Sequence, residues 1–172
     1  KSTVAKALAE KLGINYINTG SMYRLITLYA IQNDLLDNWD ELVKQLKKLN
    51  INYINGKLVS TFEYTKEDLT SPTISAAVSS VASSSKVRDF ASAIQKHVGE
   101  QEGVLMEGRD ITTVVMPDAD FKFFLIVSDE EAAKRRHAEY IGRGDHITYE
   151  EVLQNVKLRN QMDSTREAAP LT

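Results

Sequence analysis

The sequence contains no cysteine, which excludes disulfides and thiolate chemistry and fits a reducing compartment such as the cytoplasm. It has no excess of positive charge. Lys and Arg number 21 against 24 Asp and Glu, a formal net charge of -3, so the global balance offers nothing to a nucleic-acid-binding function. No apolar run reaches the ~18 residues that a membrane span needs. The N-terminus lacks the apolar stretch and small-residue cleavage site of a secretory signal. The three histidines, His97, His137 and His146, are scattered without the spacing of a metal site. There is no internal repeat and no low-complexity tract. What is present is a 172-residue chain that is 42% hydrophobic, enough for one sizeable core with a small insertion.

Local patterns order the chain. VAKALAEKLG is an alanine-rich amphipathic helix that stops at Gly13, a usual C-terminal signal. INYINTG reads as a short strand and SMYRLITLYAIQN as a second helix. Residues 34–50 are strongly charged, with Leu and Val at helical spacing, which predicts a surface helix. In 51–64, β-branched and aromatic residues surround Asn55-Gly56, the signature of a type I′ hairpin. Pro72 marks a helix start, and helix is expected to His97 with a break near Ser83–Ser85. GVLMEGRD and DADFKFFLIV read as strands buried on both faces, because neither alternates. Two charge-rich helices close the sequence. The alternation is that of an α/β protein with a parallel sheet. The first helix has no strand before it and the chain stops at PLT, so both ends read as cut. No exposed apolar patch is expected from the pattern.

The chain begins Lys1-Ser2-Thr3 and runs straight into a helix. This is what the phosphate-cradling P-loop, Gly-x-x-x-x-Gly-Lys-Ser/Thr, leaves when its strand and glycines are removed. In that motif the lysine reaches the β- and γ-phosphates and the hydroxyl binds Mg²⁺. The alternative is an arbitrary hydroxyl-rich helix start.

Further along, NTGSMYR, SSSKVRDF, MEGRDITTVVMPDAD and LRNQMDSTREAAPL are together similar to bacterial cytidylate kinases, the CMP/dCMP kinases of the nucleoside monophosphate kinase group. The resemblance runs from Lys1 to about Leu171. It implies a P-loop NTPase fold: a parallel-sheet core (1–33 and 86–137), a monophosphate-binding insertion (34–85), a helical lid (138–166) and a return to the core (167–172). It implies transfer of the γ-phosphoryl group of ATP, with Mg²⁺, to CMP or dCMP, by a cytoplasmic monomer that binds neither nucleic acid nor membrane. Lys1, Ser2 and Thr3 fall on the triphosphate site, with Ser2 at the Mg²⁺ position. Thr19, Tyr23 and Arg24 fall on the monophosphate site. Ser79 and Arg88 match residues that face the cytosine ring, and Asp110 the carboxylate that reads its amino group. Arg109 and Arg166 match phosphate arginines. Arg159 and Asp163 match contacts to the ribose end of the acceptor. Arg135 or Arg136 takes the adenine side, and the residues do not choose between them.

Elementary chemistry agrees with these assignments. Phosphoryl transfer needs alignment and charge neutralisation more than covalent help, and arginine binds phosphate with a planar, permanently charged fork. Arg24, Arg109, Arg159 and Arg166 therefore form the expected catalytic set with Lys1. Arg109 directly follows a strand, at the carboxyl end where open α/β sheets bind ligands. A carboxylate such as Asp110 accepts from the amine of cytosine; otherwise it caps a helix or pairs with Arg109. The chain departs from the family pattern at three positions. Asn18 stands where an acid is usual, Thr112 where glycine is usual, and Thr70 where arginine is usual. The competing readings are a kinase of UMP, AMP or a broader set, and a non-catalytic nucleotide-binding protein.

Overall fold

The computed structural model describes residues 2–101 and 103–172. Helix α1 (Ser2–Leu12) leads through Gly13, at φ +67°, into strand β1 (Asn15–Asn18). Helix α2 (Thr19–Gln32) follows at once. Asn18 caps it, its side-chain oxygen accepting from the Ser21 N–H at 3.3 Å, which satisfies one of the orphan amides at the helix start. Helix α2 buries Met22, Leu25, Ile26 and Ala30 completely and forms the centre of the main core.

The charged segment after α2 is less helical than its pattern suggests. Only α3 (Trp39–Leu46) is helix, preceded by turns with Asp34 and Asp37 at positive φ. The hairpin of β2 (Asn52–Ile54) and β3 (Lys57–Val59) forms as expected. Asn55 and Gly56 have φ of 50° and 79°, the left-handed pair that a type I′ turn requires. A Cβ on Gly56 would lie 2.8 Å from the Tyr16 carbonyl oxygen, so the hairpin tip packs on β1 at a distance only glycine permits. Helices α4 (Lys66–Thr70), α5 (Pro72–Ser83) and α6 (Ser85–Gly99) come next. Ser71 caps α5, with Pro72 in its first turn, and Ser84 caps α6. The break thus falls where the serine run offers a cap.

Strand β4 (Val104–Glu107) pairs in parallel with β1, Asn15 opposite Val104 and Asn18 opposite Glu107. Both strands end at the same level, and the turns after them meet there. A single π turn (Ile111–Val115) follows β4. Helices α7 (Asp129–Gly142) and α8 (Tyr149–Thr165) then pack on each other through their own small core of Ala133, Tyr140, Val152 and Val156.

Two expectations fail together. DADFKFFLIV is not a buried strand: residues 120–127 have no regular structure, and Phe121 and Ile126 are 82% and 88% exposed. An apolar run becomes a strand only where a neighbouring strand completes its ladder, and among the described residues none pairs with this one. The expectation of a surface without an apolar patch fails with it, since Phe123, Phe124 and Leu125 are exposed too. No helix among the described residues is long and apolar enough to cross a membrane.

Candidate active site

The carboxyl ends of β1 and β4, the start of α2, one face of α5 and α6 and the inner face of α8 enclose a polar cavity. Ser2, Thr19, Tyr23, Arg24, Ser79, Arg88, Arg109, Asp110, Arg136, Arg159, Asp163 and Arg166 all line it. These residues lie on seven separate segments, and the fold brings them to one place. Thr3 and Arg135, which the resemblance places on the ATP side, are exposed and absent from the lining, whereas Arg136 lines the cavity. Lys1 lies outside the described residues.

At the β-strand end, the Ser2 hydroxyl donates to Glu107 Oε1 at 2.6 Å. The Thr19 hydroxyl donates to the Glu107 carbonyl at 2.8 Å. Gly108 allows this approach, because a Cβ there would lie 2.3 Å from Thr19 Oγ1. Glu107 Oε2 is buried without a hydrogen-bond partner. Asn18 stands opposite Glu107 across the strand pair, and its carbonyl accepts from the Tyr53 hydroxyl at 2.8 Å. The Tyr16 hydroxyl faces the same corner. Burial, helped by the Glu107 charge, pushes its pKa up to about 12. Sequence reasoning missed Glu107, although the argument applied to Arg109, a charged residue at a strand's carboxyl end, holds for it equally.

The opposite wall is a buried ion pair. Arg88 Nη2 donates to Asp110 Oδ2, and both side chains are 5% exposed or less. Arg88 Nη1 donates to the Ala82 carbonyl at 3.0 Å, and the guanidinium sits 5.2 Å from the Tyr23 ring centroid, within cation–π range. Asp110 therefore pairs with Arg88 rather than Arg109, and its side chain makes no cap for the π turn. The Tyr23 hydroxyl, Ser79 Oγ and Arg88 Nε are buried beside it without partners. Thr112 lies in the π turn at ordinary φ, so its backbone does not require glycine.

Asp163 organises the third wall. It accepts from Arg109 Nε at 3.0 Å and from Arg166 Nη1 at 3.2 Å, with Arg159 Nε at 3.7 Å. The α8 spacing explains part of this, since Arg159 and Arg166 lie one turn to either side of Asp163 and share its face. Arg24 donates to the Leu69 carbonyl at 2.8 Å and to Ser75 Oγ at 2.9 Å. Burial, then the charges of Arg136 and Arg109, press the Arg24 pKa down to about 10. Burial, then Arg109, Arg24 and Arg136, press Arg159 down to about 9, against the pull of Asp163. Both remain cationic at neutral pH. Arg24, Arg109, Arg136 and Arg159 raise one another's positive potential, and only Arg109 and Arg159 of them lie beside Asp163, which leaves a positive field that suits a multiply charged anion.

Comparison with known proteins gives a consistent result. The sequence model of the family described as Cytidylate kinase matches residues 1–172. The chain is 41% identical over 171 residues to a cytidylate kinase of Thermosipho africanus, covering 99% of this chain and 77% of that relative. It is 43% identical over 173 residues to one of Caldanaerobacter subterraneus subsp. tengcongensis, covering 100% and 77%. It is 41% identical over 172 residues to one of Clostridium perfringens (strain 13 / Type A), covering 99% and 79%.

Proposed function

The chain belongs to the cytidylate kinase family, and we propose that the cavity under α8 is where it moves the γ-phosphoryl group of ATP onto CMP or dCMP, giving ADP and CDP or dCDP. One observation carries this assignment. Six cavity groups, Tyr23 Oη, Ser79 Oγ, Arg88 Nε, Glu107 Oε2, Arg159 Nε and Arg166 Nη2, are buried with no hydrogen-bond partner. Buried polar groups in proteins are nearly always paired, so this concentration of unpaired groups on residues that line one cavity supports a polar ligand there. That ligand has anionic groups for the arginines and a hydrogen-bonding ring for Ser79, Arg88 and Asp110.

In this reading Arg24, Arg109, Arg136, Arg159 and Arg166 hold the phosphates in line and neutralise charge as it moves, with Lys1 on the triphosphate. Asp163 fixes the planes of Arg109 and Arg166 and lies 3.7 Å from Arg159 Nε. The acceptor oxygen of a monophosphate is already ionised, so no general base is needed. Asp110, held by Arg88, accepts from the cytosine amine, whereas uracil presents a carbonyl oxygen to the carboxylate. Tyr23 covers the acceptor ribose.

The residues present also fit a magnesium ion. Among the described residues no cluster of three or more carboxylates or imidazoles exists that could hold a metal, but Mg²⁺ beside phosphates takes one or two protein oxygens and fills the rest of its shell with water and substrate. Ser2 Oγ and the unpartnered Glu107 Oε2 are the oxygens that would hold it. When bound, the ion neutralises β- and γ-phosphate charge. Asn18 keeps its helix-capping bond and leaves Glu107 as the carboxylate of this corner.

The test is ADP formation from Mg·ATP with CMP, dCMP, UMP and AMP offered separately to the purified gene product. Turnover confined to CMP and dCMP supports the assignment. Comparable kcat/KM with UMP refutes the role given to Asp110. Loss of turnover with every acceptor, while ATP still binds, favours the non-catalytic reading that Asn18 raises. A cytoplasmic site of action goes with substrates of this kind and with the absence of cysteine.

A further inference from the structure

Helix α4 is one and a half turns long. A capping box satisfies its start: Thr65 N–H donates to Asp68 Oδ2 at 2.8 Å, and Asp68 N–H to Thr65 Oγ1 at 3.1 Å. At its end the Thr70 hydroxyl donates back to the Lys66 carbonyl at 2.9 Å and the Ser71 N–H to the Asp68 carbonyl at 3.5 Å, which leaves the Leu69 and Thr70 carbonyls to partners from elsewhere. The last carbonyls of any helix lack intrahelical donors and carry the negative end of its dipole. Here arginines from two distant parts of the chain take them. Arg24, from α2, donates to the Leu69 carbonyl. Arg143, from the turn after α7, donates through Nη1 to the Thr70 carbonyl and Thr70 Oγ1, both at 2.9 Å, and through Nη2 to the Glu67 carbonyl at 3.4 Å. Asp145 lies 3.6 Å from Arg143 Nε and steadies its plane. Arg143 is the C-cap of α7, and Gly144, at φ +84°, turns the chain after it.

We propose that Arg143 is a positioning residue of the acceptor site: it clasps the α7–α8 turn to the last turn of α4, and through that turn fixes Arg24. The proposal rests on the assignment of the cavity to the monophosphate. Arg24 reaches the cavity with one guanidinium nitrogen already committed to Leu69 and Ser75, so its direction follows α4. Residue 143 does not line the cavity, and its effect on the acceptor is therefore indirect. The same clasp ties the turn between α7 and α8, and so the helix that carries Arg159, Asp163 and Arg166, to the segment that holds Arg24.

The experiment compares wild type, Arg143→Ala, Arg143→Lys, Arg24→Ala and the double variant Arg24→Ala/Arg143→Ala. For Arg143→Ala, KM for CMP rises about 5- to 10-fold, while KM for ATP at saturating CMP stays within about 2-fold. Arg143→Lys recovers part of the loss, because an ammonium reaches one carbonyl but not three acceptors. In the Arg24→Ala background, Arg143→Ala has no further effect on KM for CMP. An unchanged KM for CMP, or an equal rise in both backgrounds, overturns the proposal.

A second readout needs no turnover. The absence of cysteine allows spin labels at Glu63→Cys and Glu150→Cys, both exposed positions. Arg143→Ala lengthens and broadens the label distance in the ligand-free protein if the clasp holds these segments, and an unchanged distribution refutes it. A lengthened distance in a protein that fails to phosphorylate CMP would uphold the clasp and reject the cavity assignment instead.

Discussion

Replacing Asp163 by asparagine tests the arginine cluster most directly. Asp163 is 2% exposed and holds Arg109 and Arg166 by hydrogen bonds of 3.0 and 3.2 Å, with Arg159 at 3.7 Å. Asparagine keeps the size and one acceptor oxygen but removes the charge and turns an N–H group toward a guanidinium. Breaking a buried ion pair from one side costs about 3–5 kcal/mol, and the retained acceptor puts this variant near about 3 kcal/mol. At about 2–4 °C per kcal/mol for a chain of this size, Tm falls by about 6–12 °C. The same substitution leaves the cavity more cationic. CMP or inorganic phosphate should therefore raise the Tm of Asp163→Asn by more than it raises that of wild type. Turnover moves the other way. With the guanidiniums no longer held in plane, kcat/KM for CMP falls about 10²-fold. Differential scanning fluorimetry with and without CMP, and the coupled ADP assay, read all three effects. A Tm within about 2 °C of wild type, well under the expected energy, would refute the reasoning. So would a destabilised variant with intact kcat/KM, since Asp163 would then serve stability alone.

Three further outcomes are expected. Asp110→Asn lowers the kcat/KM preference for CMP over UMP by about 10-fold or more, the worth of one good base contact, measured by competing the two acceptors. Glu107→Gln raises the Mg²⁺ concentration for half-maximal rate by about 10- to 100-fold, the usual effect of losing a partner at a metal site; Mn²⁺ binding followed by electron paramagnetic resonance checks it without turnover. Tyr16, Tyr23 and Tyr53 are all shifted upward, chiefly by burial, Tyr16 to about 12. In the unfolded chain they lose protons near pH 10, before the folded ones do. Stability is therefore fully present below pH 10 and declines as pH rises through the folded values. Absorbance at 295 nm should show these tyrosines ionising together with loss of helical circular dichroism, and early, independent ionisation would contradict their burial.

The sequence was most legible where the physics is local. Asn55-Gly56 specifies a left-handed turn whatever surrounds it. Ser71-Pro72 and Ser84 supply helix starts from their own side chains, and Thr148 caps α8 in the same way, in a box with Glu151. The site was legible through residue types in order along the chain, which is why Thr19, Tyr23, Arg88, Asp110 and the α8 arginines meet in one cavity. The place of Glu107 at a strand's carboxyl end was legible, but its bond to Ser2, 105 residues away, was not. Thr70 was legible as a departure from the family pattern, but its contact with Arg143 was not, because the two are 73 residues apart.

By itself, then, the sequence determined the turns, the caps and the helical faces, because each depends on neighbours within a few residues, and the chemical character of the site through motifs spread along the chain. Tertiary structure alone decided what depends on direction or on a distant partner. It chose Arg136 over Arg135 for the cavity, since adjacent residues of a helix point about 100° apart and only the seating of α7 says which points inward. It set Asp110 against Arg88 rather than Arg109. It left 120–127 outside the sheet despite the most apolar run in the chain, because a strand is made by its ladder and hydrophobicity alone supplies no partner.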